Sequence, residues 1–176
     1  MVTATREDAE KAARDLLDSV WIEDFNTGFR LPVDPFHIAD RLGLRVYTVP
    51  LEPDVSGMLA KRPGTDAEVY INANDSENRR RFSCAHEIGH YIKRATSGDP
   101  AESWGYIDRR GPHSSNGTDP DEIYANQFAA ELLMPLHALR RLAGMLTQPA
   151  LAVQFGVSLE ALQFRLENVG AAALAQ

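Results

Sequence analysis

The chain has 176 residues, 44% of them hydrophobic and 24% charged, with a formal net charge of −7. That length and balance fit one soluble globular domain with a sizeable core, expected to span 1–176, and the acidic surplus argues against direct nucleic-acid binding. No stretch approaches a membrane span or a signal-peptide core, and the single cysteine, Cys84, rules out an internal disulfide, so the expectation is a cytoplasmic protein with no membrane partner and Cys84 as packing.

Taken in order, Thr5 caps a predicted helix over Arg6 to Val20, with Ala9, Ala12, Leu16, Leu17 and Val20 as its apolar stripe. Trp21 to Arg30 is irregular. Asp34-Pro35 then supplies a capping side chain and a first-turn proline for a short helix carrying Phe36, Ile38, Ala39 and Leu42, which Gly43 closes. His37 on that helix reads as an ordinary surface or core histidine. Strands follow at Leu44 to Val49, Val55 to Lys61 and Glu68 to Asn72, the last two joined by the turn-rich Arg62-Pro63-Gly64-Thr65-Asp66. The expected fold class is α+β: a small, mostly antiparallel three-stranded sheet packed with helices.

Asn74, Asp75 or Ser76 caps the next helix, which runs to about Arg94. Its Arg79-Arg80-Arg81 run reads as a solvated face. Inside it stands Arg81-Phe82-Ser83-Cys84-Ala85-His86-Glu87-Ile88-Gly89-His90, which contains H-E-x-x-H. Imidazoles four residues apart on a helix stand about 40° apart around the axis and about 6 Å along it, close enough to share one metal ion. Glu87 follows His86 by about 100°, beside the metal rather than on it, where a base acting on water would sit. Phe82, Ala85, Ile88, Gly89 and Ile92 fill a contiguous arc that should face a core.

From Thr96 to Pro120 the composition turns to Gly, Pro, Ser, Asn and Asp, with Trp104 and Tyr106 as its only aromatics. This reads as a long loop, either a functional flap or without fixed structure, and His113 within it as an exposed loop histidine. Asp119-Pro120-Asp121-Glu122 then opens a helix by cap, first-turn proline and acids, with Ala125, Phe128, Ala129 and Leu132 facing inward. Pro135 ends it. Residues 136–176 are expected to be a helical C-terminal extension of the same domain: Leu136 to Leu142, about Pro149 to Phe155, Leu159 to Val169, and a frayed end. The stretch from Leu151 to Leu166 is similar to a helix-turn-helix, but its second helix sets Glu160 and Glu167 against Arg165 alone, so it reads as a structural helix pair.

An H-E-x-x-H site needs a third protein ligand and an open fourth position. Lys93 and Thr96 stand where the metzincin extension would require Gly and His, which excludes that subclass. A carboxylate from the following helix is the other common source. Asp119, Asp121, Glu122 and Glu131 compete, and Glu122 alone shares a face with Ala125, Asn126 and Ala129.

The motif A-H-E-I-G-H-Y-I at Ala85 to Ile92, together with E-I-Y-A-N-Q-F-A-A-E-L-L-M-P at Glu122 to Pro135, resembles the ImmA/IrrE family of metallopeptidases. The segment from Pro32 through Leu44 is also similar to that family's N-terminal region. The resemblance implies a zincin-like core, His86, His90 and Glu122 as metal ligands, Glu87 as general base, and a helix-turn-helix transcriptional repressor as protein substrate in a bacterial or phage regulatory setting. Zn²⁺ is the default metal, with Mn²⁺ admitted by the carboxylate ligand. An extended substrate is expected to pair with a sheet edge, taken to be Val55 to Lys61. The competing expectation is a non-catalytic binding module on the same fold, acting by contact as a toxin partner or antirepressor.

Overall fold

The computed structural model describes residues 6–21, 30–97, 103–109 and 119–170. Thr5, His113, most of the irregular stretch after Trp21 and the end after Gly170 lie outside the described residues.

Local signals set the helix boundaries where the residue chemistry demands them. Helix α1 (Arg6–Leu16) passes into a wider turn at Leu17–Trp21, and together they bury Ala9, Ala13, Leu16, Leu17 and Trp21. Helix α2 (Pro35–Arg41) begins at Asp34, whose carboxylate accepts from the amides of Phe36 at 3.0 Å and His37 at 3.4 Å. Gly43, at φ 74°, turns the chain out of it.

Four strands follow: β1 (Arg45–Val49), β2 (Val55–Lys61), β3 (Glu68–Asn72) and β4 (Trp104–Arg109). Their order is β1-β3-β2-β4, with β2 antiparallel to both its neighbours and β1 parallel to β3. The expected three-stranded, mostly antiparallel sheet is therefore corrected to a four-stranded mixed one. The fourth strand comes from the stretch read as loop. Trp104, Tyr106 and Asp108 are partly covered while Gly105, Ile107 and Arg109 are exposed, an alternation only six residues long among turn-forming neighbours. The parallel pairing arises because the β2–β3 hairpin leaves the far side of β3 open, and β1 fills it.

Helix α3 (Glu77–Ser97) crosses the sheet over β2 and β3, α4 (Pro120–Leu133) packs alongside α3, and α1 packs on α4. Gly89 makes that arrangement possible: a Cβ there would stand 3.0 Å from Ala125 Cα and 3.2 Å from Phe128. Helices α5 (Leu136–Leu142), α6 (Gln148–Phe155) and α7 (Leu159–Val169) complete the chain. Gly156, left-handed at φ 64°, and the Ser158 cap make the α6–α7 turn. No described helix is long and apolar enough to cross a membrane.

Charge in the interior ties these layers together. Arg165 on α7 is 2% exposed and pairs with Glu131 on α4, with Glu10 on α1 at 2.9 Å, and donates to the Met134 carbonyl. The one arginine of the helix-turn-helix look-alike is thus spent inside the molecule, in keeping with a structural pair. The Arg79–Arg81 run is not the solvated face expected. Arg81 is buried and donates to the carbonyls of Val33 and Gly156, and Arg79 donates to Ser56 and Asp108. Helical spacing alone cannot show that a later helix and a later strand cover those positions.

Candidate metal centre

His86 and His90 project from the middle of α3, and Glu122 comes from the first turn of α4, which Asp119 caps by accepting from the Asp121 amide at 2.8 Å. The Gly89 contact brings the two helices close enough for these side chains to meet. His86 Nε2 lies 3.3 Å from Glu122 Oε2, His90 Nε2 lies 3.3 Å from Glu122 Oε1, and the two Nε2 atoms are 3.0 Å apart. Bonds of about 2.0–2.1 Å at tetrahedral angles place neighbouring donors roughly 3.3 Å apart, so this donor set fits a divalent cation of zinc's size. Both imidazoles are buried and Glu122 is partly open, which leaves the approach on the carboxylate side.

The rings are aimed from outside. His86 Nδ1 donates to Asn126 Oδ1 at 3.1 Å, which leaves Nε2 as the coordinating nitrogen. Among the described residues His90 has no hydrogen-bond partner at Nδ1; instead Tyr106 of β4 stacks on it, centroids 4.2 Å apart and planes 12° from parallel. Tyr106 in turn donates to Asp121, which pairs with Lys93 at 2.7 Å. Neither Asn126 nor Tyr106 was assigned a role from sequence. Asn126 had a legible signal, one turn after Glu122 on the same face, whereas Tyr106 lay in the supposed loop.

Glu87, one residue on from His86, is wholly buried, and among the described residues neither of its carboxylate oxygens has a hydrogen-bond partner. Gly57 of β2 makes room for it: a Cβ there would meet Glu87 Oε1 at 2.7 Å. Desolvation, opposed by His86 and reinforced by the charges of Asp108 and Glu122, pushes the Glu87 carboxyl up to about 8. For His86, burial works against charge, but the Glu122 hydrogen bond and the charges of Glu87 and Asp108 outweigh it and raise its pKa to about 8. Burial lowers His90, and Glu122 is held well below the usual carboxylate range because its hydrogen bonds to both imidazoles overcome its own desolvation.

Of the four residues singled out by sequence, the structure brings His86, His90 and Glu122 within 4.8 Å of one another, while Glu87, next to His86 in the helix, turns its carboxylate toward Gly57. The competing carboxylates are otherwise engaged: Asp119 caps α4, Asp121 pairs with Lys93 and Glu131 with Arg165. Cys84 is buried in the core, where desolvation raises its thiol far above its ordinary range. The substrate edge assigned to Val55 to Lys61 is overturned, because β2 lies between β3 and β4 and has both edges paired. Strand order is tertiary information that alternation does not carry.

Residues 39–167 match the family model described as the IrrE N-terminal-like domain, Peptidase_M78. Seven chains of solved structure match, among them a Mycobacterium tuberculosis transcriptional regulator with a TM-score of 0.58 and 18% identity. That match covers 90% of this chain but 46% of the regulator, so this chain spans less than half the length of the protein it resembles. At that identity the likeness concerns the fold. No curated protein matches by sequence.

Proposed function

The chain belongs to the Peptidase_M78 family, the IrrE N-terminal-like domains, and from that premise we propose that it is a metal-dependent endopeptidase. His86, His90 and Glu122 hold the cation, Zn²⁺ by preference and Mn²⁺ as the alternative, and Glu87 is the general base. The observation that carries this reading is the set of three donors at metal spacing, with the adjoining Glu87 carboxylate buried and without a hydrogen-bond partner among the described residues. A buried acid left unsatisfied is costly in a purely structural role and useful where a substrate or water completes its bonding.

A cation held there supplies Lewis acidity, polarising a peptide carbonyl and lowering the pKa of water. The remaining chemistry belongs to the chain. Glu87 accepts the proton of the attacking water and hands it to the leaving amine, one carboxylate serving as base and then as acid. Asn126 and Tyr106 hold the imidazoles in orientation. An extended substrate adds to the outer edge of β4, which pairs on one side only among the described residues and carries Tyr106 next to His90.

Following the family resemblance, the substrate is a helix-turn-helix transcriptional repressor. The test is incubation of the chain with the repressor-like protein encoded nearest its gene, and with unfolded β-casein as a generic substrate, in Zn²⁺ or Mn²⁺ and with a chelator. Discrete fragments that vanish with chelator and in Glu87→Gln, while that variant still binds metal, are the expected result. Full biological effect without cleavage, retained in Glu87→Gln, would instead favour a module that acts by contact.

A further inference from the structure

The side chain of Asn126 has two different ends, an oxygen that accepts and a nitrogen that donates. Coordination through Nε2 leaves the His86 proton on Nδ1, and that N–H needs an acceptor, which is Asn126 Oδ1 at 3.1 Å. The amide is thereby fixed against flipping, with Nδ2 directed away from the ring. His86 is 2% exposed, whereas Asn126 is an exposed residue. Among the described residues Nδ2 has no hydrogen-bond partner.

Position makes this donor available to a substrate. Asn126 follows Glu122 by one turn on the same face of α4, and the approach to the metal centre lies on the Glu122 side. Other side-chain donors around the centre are engaged within the protein. Lys93 pairs with Asp121 at 2.7 Å and donates to the Pro120 carbonyl at 3.1 Å, Arg79 donates to Ser56 and Asp108, and the Tyr106 hydroxyl donates to Asp121. Charge narrows what Asn126 can receive. Carboxylates at Asp121 and Glu122 on its own helix, and at Asp108 close enough to act on His86, would repel an anion, while a neutral carbonyl oxygen needs only an N–H donor.

We propose that Asn126 is a substrate-binding residue of the peptidase reading, on which this role rests: Nδ2 donates to a main-chain carbonyl of the bound peptide while Oδ1 holds His86. Glu122 and Asn126 stand about 6 Å apart along the helix, and same-side carbonyls of an extended strand repeat about every 6.6 Å. The accepting carbonyl is thus roughly two residues from the scissile bond. One edge of the peptide lies along β4, and the other meets α4 at Asn126. Because the contact is made to main chain, it serves any substrate side chain at that position.

Asn126→Asp separates the two ends of the amide, since it keeps an acceptor for His86 and removes the donor; Asn126→Ala removes both. Binding is read without turnover in the zinc-loaded Glu87→Gln chain, by fluorescence anisotropy of labelled unfolded β-casein in about 0.3 M salt, which screens the added charge. Zinc affinity is read by chelator competition. In Asn126→Asp, zinc affinity at least equal to that of Asn126 is expected, with β-casein binding about tenfold weaker; Asn126→Ala should lose about tenfold in each. The side-chain NH2 signals of Asn126, assigned by NMR from their loss in Asn126→Asp, should move when β-casein is added. An unmoved NH2 pair, or β-casein affinity within about twofold in Asn126→Asp, overturns the proposal and leaves Asn126 as the support of His86 alone. Cleavage by the chain with Glu87 intact tells this contact from the activity itself. Fragments released by Asn126→Asp with an unchanged KM remove the contact and leave the peptidase, whereas Asn126-dependent binding without cleavage keeps the contact and removes the peptidase.

Discussion

Replacing Gly57 by alanine separates catalysis from metal binding with the smallest possible change. Gly57 lies in a strand at ordinary negative φ, so the added methyl introduces no backbone strain. Its consequence is steric: the new Cβ would lie 2.7 Å from Glu87 Oε1 and 3.4 Å from that residue's Cδ and Cγ. Carbon meets its neighbours at about 3.5 Å, so relief of about 0.8 Å is needed. Strand β2 cannot retreat, being bonded to β3 on one side and β4 on the other, and Glu87 must swing instead. Misplacing a reacting group by about 1 Å costs roughly 10²-fold in rate, or about 2.7 kcal/mol in the barrier. All three atoms nearest the new methyl belong to Glu87, so the cation should bind Gly57→Ala as it binds the parent chain. Gly89→Ala is the converse, since its Cβ presses on Ala125 and Phe128 and pushes α4, with Glu122, off α3. Metal affinity measured by competition with a chromophoric chelator, alongside kcat on β-casein, distinguishes the two. A Gly57→Ala protein that turns over within twofold of the parent would refute the placement of Glu87.

Other outcomes follow from the same contacts. Glu122→Ala removes one of three donors, and zinc content after dialysis should fall; unchanged content moves the third ligand elsewhere. Because the raised His86 pKa of about 8 makes the proton a competitor for the site, apparent metal affinity should climb as pH rises from 6 to 8 and level off above it, and a flat profile by chelator competition argues against His86 as ligand. In the metal-free chain the same raised pKa contributes stability below the ordinary histidine value of 6.5 that is lost as pH rises through about 8, and the raised Glu87 acts in the same direction, so the melting temperature should decline over that range. Arg165→Ala leaves Glu131 buried without its main partner, with an expected loss of roughly 3–5 kcal/mol and about 10 °C by thermal unfolding. A fall under 2 °C would mean that Glu131 is neutral or hydrated in the folded protein.

Sequence determined the parts of this protein that depend on a short stretch of chain. Helix boundaries at Asp34 and Asp119 follow from caps and prolines, and the pairing of His86 with His90 follows from helical pitch. Glu122 was reachable because it shares a helix face with small residues that let α4 approach. Packing decided the rest. The place of β4 beside the site, the enclosure of β2, the stacking of Tyr106 on His90 and the burial of Arg81 and Arg165 each join residues far apart in the chain. Local pattern can state which face of an element is apolar, but which other element covers that face is a property of the assembled core, and so is the space that Gly57 leaves for Glu87.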